Sequence, residues 1–405
     1  MRVLIVGSGG REHALAWRLA RDGATEVHAA PGNPGTAGLG TCHPVRAEDG
    51  EGLLELARSL AVDLAVIGPE APLVAGVADV LRRGGVSVFG PGAGAARIEG
   101  SKAFAKDVME AAGVPSARAL DRPEPPCVVK ADGLTAGKGV FVCLTQDELD
   151  AGLAAAAALG GDVVVEELLD GEELSVFALC DGSRAVPLGA ARDYKRAENG
   201  DAGPNTGGMG SFSPVPGFGA AEVAELVDRI HAPVIEQLAR CGTPFAGVLF
   251  AGLMLTRDGP RVLEFNCRFG DPETQSLLPL VGGDLTAAFA AAAAGDLRGV
   301  ELGGSAEAAV TVVVTGGEYP EHNDVGSAIE GIDEAERRGA LVFHGGTALH
   351  GERLVTNGGR IVGVTGVADD LERARAVAYD GAAAISFAGA RHRSDIAEPA
   401  EARVG

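Results

Sequence analysis

The chain has 405 residues and a formal net charge of −22, with 46% hydrophobic and 4% aromatic residues. This length predicts about three domains, whose cores must be built mostly from aliphatic side chains. The negative charge argues against nucleic acid or an anionic membrane as a general partner, although a local basic cluster could still hold a small anion.

The cysteines and the apolar runs indicate the compartment. Six cysteines, at positions 42, 127, 143, 180, 241 and 267, are scattered and form no CxxC pair, which is typical of reduced thiols in a cytoplasmic protein. The opening MRVLIVGSGGREH has too short an apolar run for a signal peptide. The alanine-rich runs near 151–159 and 287–294 are too short to span a membrane. We therefore expect a cytoplasmic protein with no membrane partner.

The first hundred residues alternate strand-like apolar runs with amphipathic helical segments. Strands are predicted at RVLIVG, EVHAAPG, DLAVIGPE and VSVFGP, and helices at GREHALAWRLARDG, EDGEGLLELARSLAV and VAGVADVLRRGG. This alternation predicts an α/β domain over residues 1–100, with a doubly wound, Rossmann-like parallel sheet. Ligands bind such sheets at the carboxyl ends of the strands, so the candidate loops are GSGGREH, APGNPG, GPEAPL and GPGAGAA.

The rest of the chain predicts two further units. A helix at EGSKAFAKDVMEAAGVP and the proline-rich DRPEPP precede short strands with one helix, at 147–158, and a larger α/β part extends to about residue 299. We assign 101–300 to a central region, with a small subdomain at about 116–186, and 301–405 to a small α+β domain. In the last unit, LVTNGGRIVGV places Asn-Gly between two β-rich runs, which predicts a hairpin.

The chain has only five lysines against 29 arginines, and two of the lysines lie in VVKADGLTAGKGVFV, residues 128–142. The spacing is one residue short of a Walker A loop, and Gly139 stands where Ser or Thr would hold Mg²⁺. A strand follows instead of a helix. The pattern therefore predicts a glycine-rich hairpin whose backbone N–H groups cover phosphates, with Lys130 reaching an α- or β-phosphate. A flexible surface turn is the alternative.

Three further stretches favour a nucleotide site. VVVEELLDGEELSVFAL predicts two strands and a linker that could read adenine and ribose, with an acidic surface turn as the alternative. In RVLEFNCRFGDPETQ, strand alternation puts Glu264, Asn266 and Arg268 on one face and Cys267 in the core. The two oxygen donors suit Mg²⁺ and the arginine suits an anion, while a polar edge strand is the alternative. ARDYKRAENGDAGPNTGGMG is a long loop of a kind that is usually functional or disordered.

Ten segments occur in order along the chain: VLIVGSGGREHALAW, APGNPGT, VIGPEAPLVAGV, GSKAFAK, VVKADGLTAGKGV, DYKR, GPNTGGMG, FAGLM, EFNCRFGDPETQ and VTNGGR. Together they resemble the phosphoribosylamine–glycine ligases (glycinamide ribonucleotide synthetases), a family of ATP-grasp carbon–nitrogen ligases, over essentially the full chain. NTGGMG and EFNCRFGDPETQ are specific to that family. The resemblance implies ATP-grasp central domains and the ATP-dependent ligation of glycine to 5-phosphoribosylamine in purine biosynthesis, through a glycyl phosphate.

The resemblance also implies roles for individual residues. ATP would lie between the small subdomain and the larger α/β part, with loop 133–139 closing over its phosphates, residues 166–169 meeting adenine and Glu173 the ribose. The expected ATP-binding residues are Lys102, Lys130, Gly133, Gly137, Lys138, Gly139, Glu166, Glu167, Leu169 and Glu173. Mg²⁺ or Mn²⁺ would be held by Glu264 and Asn266.

The expected substrate-binding residues are Gly9, Gly10, Arg11, Asn33, Glu70, Asp193, Lys195 and Arg268, with Arg268 on the glycine carboxylate. The residues expected to act in catalysis are Lys130, Asp193, Asn205 and Arg268. The enzyme would work as a monomer on small molecules alone.

The chain departs from the family in the small subdomain and near the metal. Relatives usually carry about a dozen more residues between Pro115 and Cys127, and the stretch before VVVEEL is also shorter here. We expect the nucleotide contacts to survive and the packing of the subdomain to differ. Many ATP-grasp enzymes carry an acidic metal ligand on the strand that is GVLFAGLML here, so phosphates and water would complete the coordination.

Other interpretations fit less well. A nicotinamide-dependent oxidoreductase would need a glycine at Glu12 and an acid in place of HAAPG. NTGGMG and EFNCRFGDPE argue against another ATP-grasp ligase or carboxylase acting on a purine ribotide. The intact Lys102, Lys130 and Glu264 argue against a non-catalytic nucleotide-binding module. His13 is expected to shape its loop, with a catalytic role as the alternative.

Overall fold

The structure, a computed structural model, describes residues 1–24, 26–134 and 139–398. Its strands are β1 (Arg2–Gly7), β2 (Glu26–Pro31), β3 (Thr41–Cys42), β4 (Leu64–Ile67), β5 (Val88–Phe89), β6 (Cys127–Ala131), β7 (Val140–Cys143), β8 (Val163–Glu167), β9 (Glu172–Asp181), β10 (Ala185–Asp193), β11 (Arg196–Glu198), β12 (Ala202–Asn205), β13 (Gly210–Ser213), β14 (Ala246–Thr256), β15 (Gly259–Asn266), β16 (Ala308–Thr315), β17 (Val325–Ala328), β18 (Leu341–His344), β19 (Thr347–His350), β20 (Arg353–Asn357) and β21 (Arg360–Ala368).

Its α-helices are α1 (Gly10–Arg21), α2 (Pro34–Ala37), α3 (Gly50–Ser59), α4 (Glu70–Val74), α5 (Val77–Arg83), α6 (Ala93–Gly100), α7 (Lys102–Ala112), α8 (Gln146–Ala158), α9 (Ala220–Leu226), α10 (Ala232–Arg240), α11 (Glu273–Leu277), α12 (Leu285–Ala293), α13 (Ile332–Arg337) and α14 (Leu371–Ala384). A turn of π-helix, Val227–His231, joins α9 to α10, and a 3-10 turn, Asn199–Asp201, follows β11.

The first sheet is parallel and has the strand order β3-β2-β1-β4-β5. Its central strand β1 is buried from Val3 to Gly7, as the continuous apolar run predicts for a strand covered on both faces. Val3 lies opposite Val27 of β2 and Leu64 of β4. The carboxyl ends of these three strands therefore meet at one edge, where α1, α2 and α4 begin.

The second sheet is small, antiparallel and ordered β7-β6-β8. Alternation along β6 puts Cys127 and Val129 on one face, where they pack with Leu149 of α8, and leaves Lys130 on the other. We call the unit formed by β6, β7, β8 and α8 the lid. The short segment that precedes it runs beside β8, with Leu120 N donating to Val165 O at 2.8 Å.

The third sheet has eight strands in the order β15-β14-β9-β10-β13-β16-β21-β18, and all neighbours are antiparallel. The predicted small subdomain, 116–186, reaches past the lid into β9, which pairs with β14 and β10 of this sheet. The contact between β13 and β16 carries the same sheet across the boundary predicted at residue 300. The domain bounds themselves stay a prediction.

The hairpin predicted at Asn357-Gly358 is wrong. The strands on its two sides do not pair with each other, because β20 pairs with β17 and β19 whereas β21 pairs with β16 and β18. The true turn lies between His350 and Arg353, which are partners in register. Asn357-Gly358-Gly359 instead interrupts one arm of a long hairpin, and both glycines have positive φ, 86° and 66°. The segment therefore acts as a bulge, which redirects the chain and the side chains that follow it.

Candidate active site

A cleft of about 330 Å³ lies where the first sheet, the lid and the eight-stranded sheet meet. Of the five lysines, Lys102, Lys106, Lys130 and Lys195 line it, and Lys138 lies outside the described residues. Apolar side chains line it as well, among them Met109 of α7, Val140 of β7 and Leu263 of β15. A cleft that combines apolar walls with several lysines suits a flat base attached to phosphates.

Lys102 and Lys106 reach the cleft from the first two turns of α7. The helix begins after Ser101, whose hydroxyl accepts from Phe104 N at 3.2 Å, and it ends at Gly113, which has a φ of 68°, as predicted. Because the two lysines are four residues apart, they share one face of the helix. Lys102 Nζ donates to Gly133 O at 3.1 Å, and burial lowers the pKa of Lys102.

Glu166 of β8 forms a buried ion triad with two of these lysines. Its Oε2 lies 2.7 Å from Lys130 Nζ and its Oε1 lies 2.7 Å from Lys106 Nζ. Lys130 also donates to Leu263 O at 3.0 Å. In the lid register Lys130 lies opposite Val164, so Glu166 is its diagonal neighbour on the same face. The Glu166 carboxylate is paired with the two lysines. The predicted contact of residues 166–169 with adenine would therefore be made by backbone groups.

Lys195, just after β10, joins two of the predicted residues. Its ammonium forms an ion pair with Glu173 and lies 3.5 Å from Asp193 Oδ1. Although burial acts in the opposite direction, the two carboxylates raise the pKa of Lys195 well above its usual value. Lys195 is therefore charged, and Glu173, predicted to hold the ribose, is paired with it in this structure.

Arg268 links helices of the first domain to the segment that follows β15. Its Nε lies 3.1 Å from Glu70 Oε2 and its Nη2 lies 2.8 Å from Glu99 Oε1, while Arg11 Nη1 lies 3.8 Å from the same Glu70 oxygen. Burial raises the pKa of Glu70, but Arg268 and Arg11 outweigh it and lower that pKa to about 2. A glycine carboxylate, the predicted ligand of Arg268, would share the guanidinium with Glu70 and Glu99.

Glu264 and Asn266 lie at the end of β15, and both line the cleft. Asn266 is buried, and its Nδ2 has no hydrogen-bond partner among the described residues. Glu264 is exposed, and its carboxylate makes no hydrogen bond or ion pair within 4 Å with any residue that the structure describes. Cys267 is buried beside them and, as predicted, faces away from the cleft.

The donor set fits a metal that shares its coordination with other ligands. The described ranges contain no group of three or more His, Cys, Asp or Glu side chains that could hold a metal. A carboxylate and an amide oxygen with phosphate and water satisfy Mg²⁺, which usually keeps several non-protein ligands. The assignment of Glu264 and Asn266 to a metal stays a prediction.

The loops of the first sheet are held in place by hydrogen bonds across the molecule. A Cβ at Gly10 would lie 2.8 Å from Gln275 Nε2, so a larger residue would displace the Gln275 side chain of α11 from the start of α1. Asn33 Nδ2 donates to Ser8 O at 2.8 Å and to His344 O at 2.7 Å. The Asn33 side chain therefore ties its loop to β18.

His13 makes a second contact with β18. Its Nδ1 accepts from His344 N at 2.9 Å, and burial lowers the pKa of His13 to about 3. His13 is consequently neutral at physiological pH and serves as a hydrogen-bond acceptor between α1 and β18. This contact is consistent with the expectation that His13 shapes its loop.

Arg360 brings the last part of the chain to the cleft. It directly follows the bulge at residues 357–359, and its Nη1 donates to Gly207 O and to Asp271 O, the latter at 2.6 Å. Its Nη2 lies 3.0 Å from Asp271 Oδ2. Tyr319 Oη accepts from Gly207 N at 3.3 Å. The glycine-rich loop at 205–208 is thus clamped by two side chains of the last hundred residues.

The cleft brings together part of the predicted site. The predicted residues that line it are Lys102, Lys130, Gly133, Glu166, Arg11, Glu70, Asp193, Lys195, Arg268, Glu264 and Asn266. Those that do not line it are Gly9, Gly10, Asn33, Gly139, Glu167, Leu169, Glu173 and Asn205. Gly137 and Lys138 lie outside the described residues.

Five charged residues of the cleft were missed by the sequence analysis: Glu99, Lys106, Asp271, Glu273 and Arg360. The scarcity of lysine could have indicated Lys106, which lies four residues after Lys102.

Among the described residues, no helix is both long and apolar enough to cross a membrane. The fold alone is shared with the biotin carboxylase domain of 2-oxoglutarate carboxylase from Hydrogenobacter thermophilus. That structure is 16% identical, with a TM-score of 0.69 over 96% of this chain and 91% of its own. N5-carboxyaminoimidazole ribonucleotide synthetase from Thermotoga maritima is 18% identical, with a TM-score of 0.63 over 96% and 99%. The chain therefore shares its fold with these two proteins, and a family model identifies residues 100–274 as an ATP-grasp domain.

Sequence models narrow the class to one family. The N domain, the ATP-grasp (A) domain and the C domain of phosphoribosylglycinamide synthetase match residues 1–99, 100–274 and 309–399. The chain belongs to the phosphoribosylglycinamide synthetase family.

Named relatives are similar over their full length. A phosphoribosylamine–glycine ligase from Streptomyces coelicolor is 48% identical over 99% of both chains, and one from Corynebacterium ammoniagenes is 47% identical over 99% of this chain and 98% of its own. The crystal structure of the Thermotoga maritima phosphoribosylamine–glycine ligase is 35% identical, with a TM-score of 0.85 over 98% of this chain and all of its own.

Proposed function

We propose that this chain joins glycine to 5-phosphoribosylamine at the expense of ATP, forming glycinamide ribonucleotide, ADP and phosphate, in purine biosynthesis. The observation that carries the proposal is the match of all three domains of one ligase family, in order, along the chain. The cleft supports it, because residues from each of these domains line a single pocket that also holds four lysines.

The chemistry requires two steps. A glycine carboxylate oxygen attacks the γ-phosphorus of ATP, the bond from that phosphorus to the β,γ-bridging oxygen breaks, and ADP leaves. The amine of phosphoribosylamine then attacks the acyl carbon of glycyl phosphate, the bond from that carbon to the phosphate oxygen breaks, and phosphate leaves as the amine loses a proton. Phosphoryl transfer depends on positioning and neutralisation of charge rather than on a protein nucleophile.

The lysines of the cleft meet the demand for positive charge at the phosphates. Lys102 of α7 and Lys130 of β6 are the proposed phosphate ligands, and the triad with Glu166 holds Lys130 in place across the lid. A divalent ion, Mg²⁺ or Mn²⁺, held by Glu264 and Asn266, would neutralise charge on the ATP phosphates. The loop 133–139 is the proposed cover that keeps water from the acyl phosphate.

Phosphoribosylamine is assigned to the edge of the first sheet. Arg11 and Glu70 line the cleft from that edge, and Asn33 and Gly10 shape the adjoining loops through their contacts with β18 and α11. We propose that the enzyme acts as a monomer in the cytoplasm, on small-molecule substrates alone.

The test is ADP release from ATP and Mg²⁺ with freshly made phosphoribosylamine, with and without glycine. We expect ADP to form only when both acceptors are present, and glycinamide ribonucleotide to be detected by mass spectrometry. ADP release that needs neither acceptor, or that needs a different ribotide, would leave the fold standing and overturn the proposed substrates.

A further inference from the structure

Glu273 is a buried carboxyl group in the wall of the cleft. It is the first residue of α11, 4% exposed, and lines the cleft. Its partner is Ser175 of β9, whose hydroxyl lies 3.5 Å from Oε1, the upper limit for a hydrogen bond. A Cβ at Gly270 would lie 2.5 Å from its Oε2, so the glycine leaves room for the carboxyl group. The site therefore accommodates the carboxyl group, for which the described residues supply the Ser175 hydroxyl and the backbone N–H of Glu273 itself as hydrogen-bond donors.

The neighbouring acids of the cleft are better matched. Each of them has a lysine or arginine within 4 Å: Glu70, Glu99, Glu166, Asp193 and Asp271. Glu273 has no such partner among the described residues, and Glu264, which also lacks one, is exposed to solvent. A buried carboxylate without a cation is unfavourable. Glu273 is thus the buried acid of the cleft that is left for a positively charged ligand.

The charged groups around Glu273 indicate what kind of ligand would fit beside it. Asp193, Lys195 and Arg268 act on it electrostatically. The strands β13 and β16, which also pack against α11, carry no charged residue. On α1, Arg11 pairs with Glu12, and on β21 Arg360 pairs with Asp271. A ligand beside Glu273 therefore meets two acids, Glu273 and Asp193, next to two cations, which is the complement of a small zwitterion.

Glycine, the amino acid substrate under the proposed function, is such a zwitterion. Its ammonium group is separated from its carboxylate by a single methylene, so the two charges must be met by neighbouring groups of opposite sign. We propose that Glu273, with Asp193 beside it, binds the ammonium group of glycine and thereby orients the carboxylate toward Arg268, Lys195 and the ATP phosphates. This assignment rests on the proposed function and adds a residue that selects an amino acid over an acid that lacks the ammonium group.

The assignment has a consequence for protons. Burial and the charge of Asp193 raise the pKa of Glu273 to about 7 in the empty cleft. Near pH 7 some of the molecules then carry a proton on this carboxyl group, and an ammonium ion bound beside it favours the ionised form. Binding of glycine should therefore release protons near neutral pH, and more of them at pH 6 than at pH 8.

The experiment is calorimetric titration of glycine into the full-length protein saturated with Mg²⁺ and a non-hydrolysable ATP analogue. Repeating it in buffers of different ionisation enthalpy gives the number of protons released. We expect release by the native protein at pH 7, and in Glu273→Gln a glycine Kd raised about 10- to 100-fold without release. Glu273→Asp should recover part of the affinity, and Kd for the ATP analogue should stay within about twofold of the native value.

Glycolate, which replaces the ammonium of glycine by a hydroxyl group, is the matched control ligand. Its affinity should be weak and insensitive to Glu273→Gln. Equal glycine affinity in the native protein and Glu273→Gln, or the absence of proton release by the native protein, would overturn the assignment. A native protein that makes no glycinamide ribonucleotide would instead refute the proposed function, so the two failures are distinguishable.

Discussion

Replacing Glu166 by Gln removes the carboxylate that neutralises Lys130 and Lys106, each with an N–O distance of 2.7 Å. Breaking a buried ion pair by removing one partner costs about 3 to 5 kcal/mol, because the other charge stays buried without compensation. The Lys130 side chain is 9% exposed whereas that of Lys106 is 21% exposed. Since Lys106 is partly solvated, we expect a loss of stability at the lower end of this range, about 3 kcal/mol.

The lost stability should appear as easier local opening of the lid. The reason is that the ion pair of Glu166 with Lys106 fastens the lid to α7. Amide hydrogen exchange measures the free energy of such local opening. In Glu166→Gln the protected amides of β6 should exchange about 100-fold faster, since about 1.4 kcal/mol corresponds to a factor of ten. Amides of α14, which lies outside the lid, should keep their rates.

Glu167→Gln is the matched control. It changes the adjacent carboxylate, which pairs with Arg261 and Arg118, side chains that are 34% and 73% exposed. Exposed pairs contribute about 0 to 1 kcal/mol, so the exchange rates of β6 should change by less than about fivefold. Equal effects of the two substitutions would refute the reasoning that burial of the triad, rather than local charge, stabilises the lid.

Three further predictions concern the metal, the clamp and pH. Glu264→Ala should lower turnover about 100-fold or more with an unchanged circular dichroism spectrum, since several kcal/mol of charge stabilisation would be lost; normal ADP release would refute the metal assignment. Arg360→Ala should free the loop at 205–208 and lower kcat/KM for phosphoribosylamine about 10- to 100-fold. Arg360→Lys should not restore kcat/KM, because one ammonium group cannot reach the same carbonyls. Full activity of the lysine variant would contradict this role of Arg360. Burial lowers the pKa of His13 to about 3 and that of His344 to about 4. Below pH 6.5 the unfolded chain therefore binds more protons than the folded protein. The free energy of unfolding should then fall by up to about 1.4 kcal/mol per pH unit for each histidine as the pH is lowered. His13→Asn keeps an acceptor and cannot titrate, so urea denaturation between pH 7 and 5 should show a flatter dependence, and an unchanged slope would refute the role of His13.

Local sequence patterns predicted those parts of the fold that depend on neighbours in the chain. The apolar run of β1, the glycine that ends α7 at Gly113 and the pairing of β6 with β7 were all predicted correctly. Each depends on periodicity or on a cap, which a short segment carries by itself.

The bulge at Asn357 shows where local patterns fail. Asn-Gly favours a two-residue turn, but the partner of the strand that contains it is β19, reached through the turn at His350. The longer hairpin pairs more residues, so its register overrides the local preference. No window of the sequence around Asn357 contains that information.

The sequence predicted which residues line the site better than it predicted their ion-pair partners. The spacing of VVKADGLTAGKGVFV indicated Lys130, which lines the cleft, whereas the metal assignment of Glu264 and Asn266 stays a prediction. The partners of Arg268 were not predicted. One of them, Glu99, lies 169 residues away in the sequence. Glu166 was assigned to adenine from the family resemblance, and its ion pair with Lys106 was not predicted, because Lys106 belongs to a helix 60 residues earlier in the chain. Ion pairs between distant elements are set by tertiary packing, which composition and spacing do not encode.

The placement of the lysines has a practical consequence for chemical work on this protein. Reagents that acylate or reductively methylate lysine have at most five side chains to modify, and four of those line one cleft. Amine-directed labelling therefore becomes a footprint of that cleft, with protection by a bound nucleotide as its natural reference. A protease specific for lysine would cut at the same few places. Immobilisation through lysine would attach the protein mainly through this cleft, whereas attachment at the exposed Cys241 would leave the cleft open.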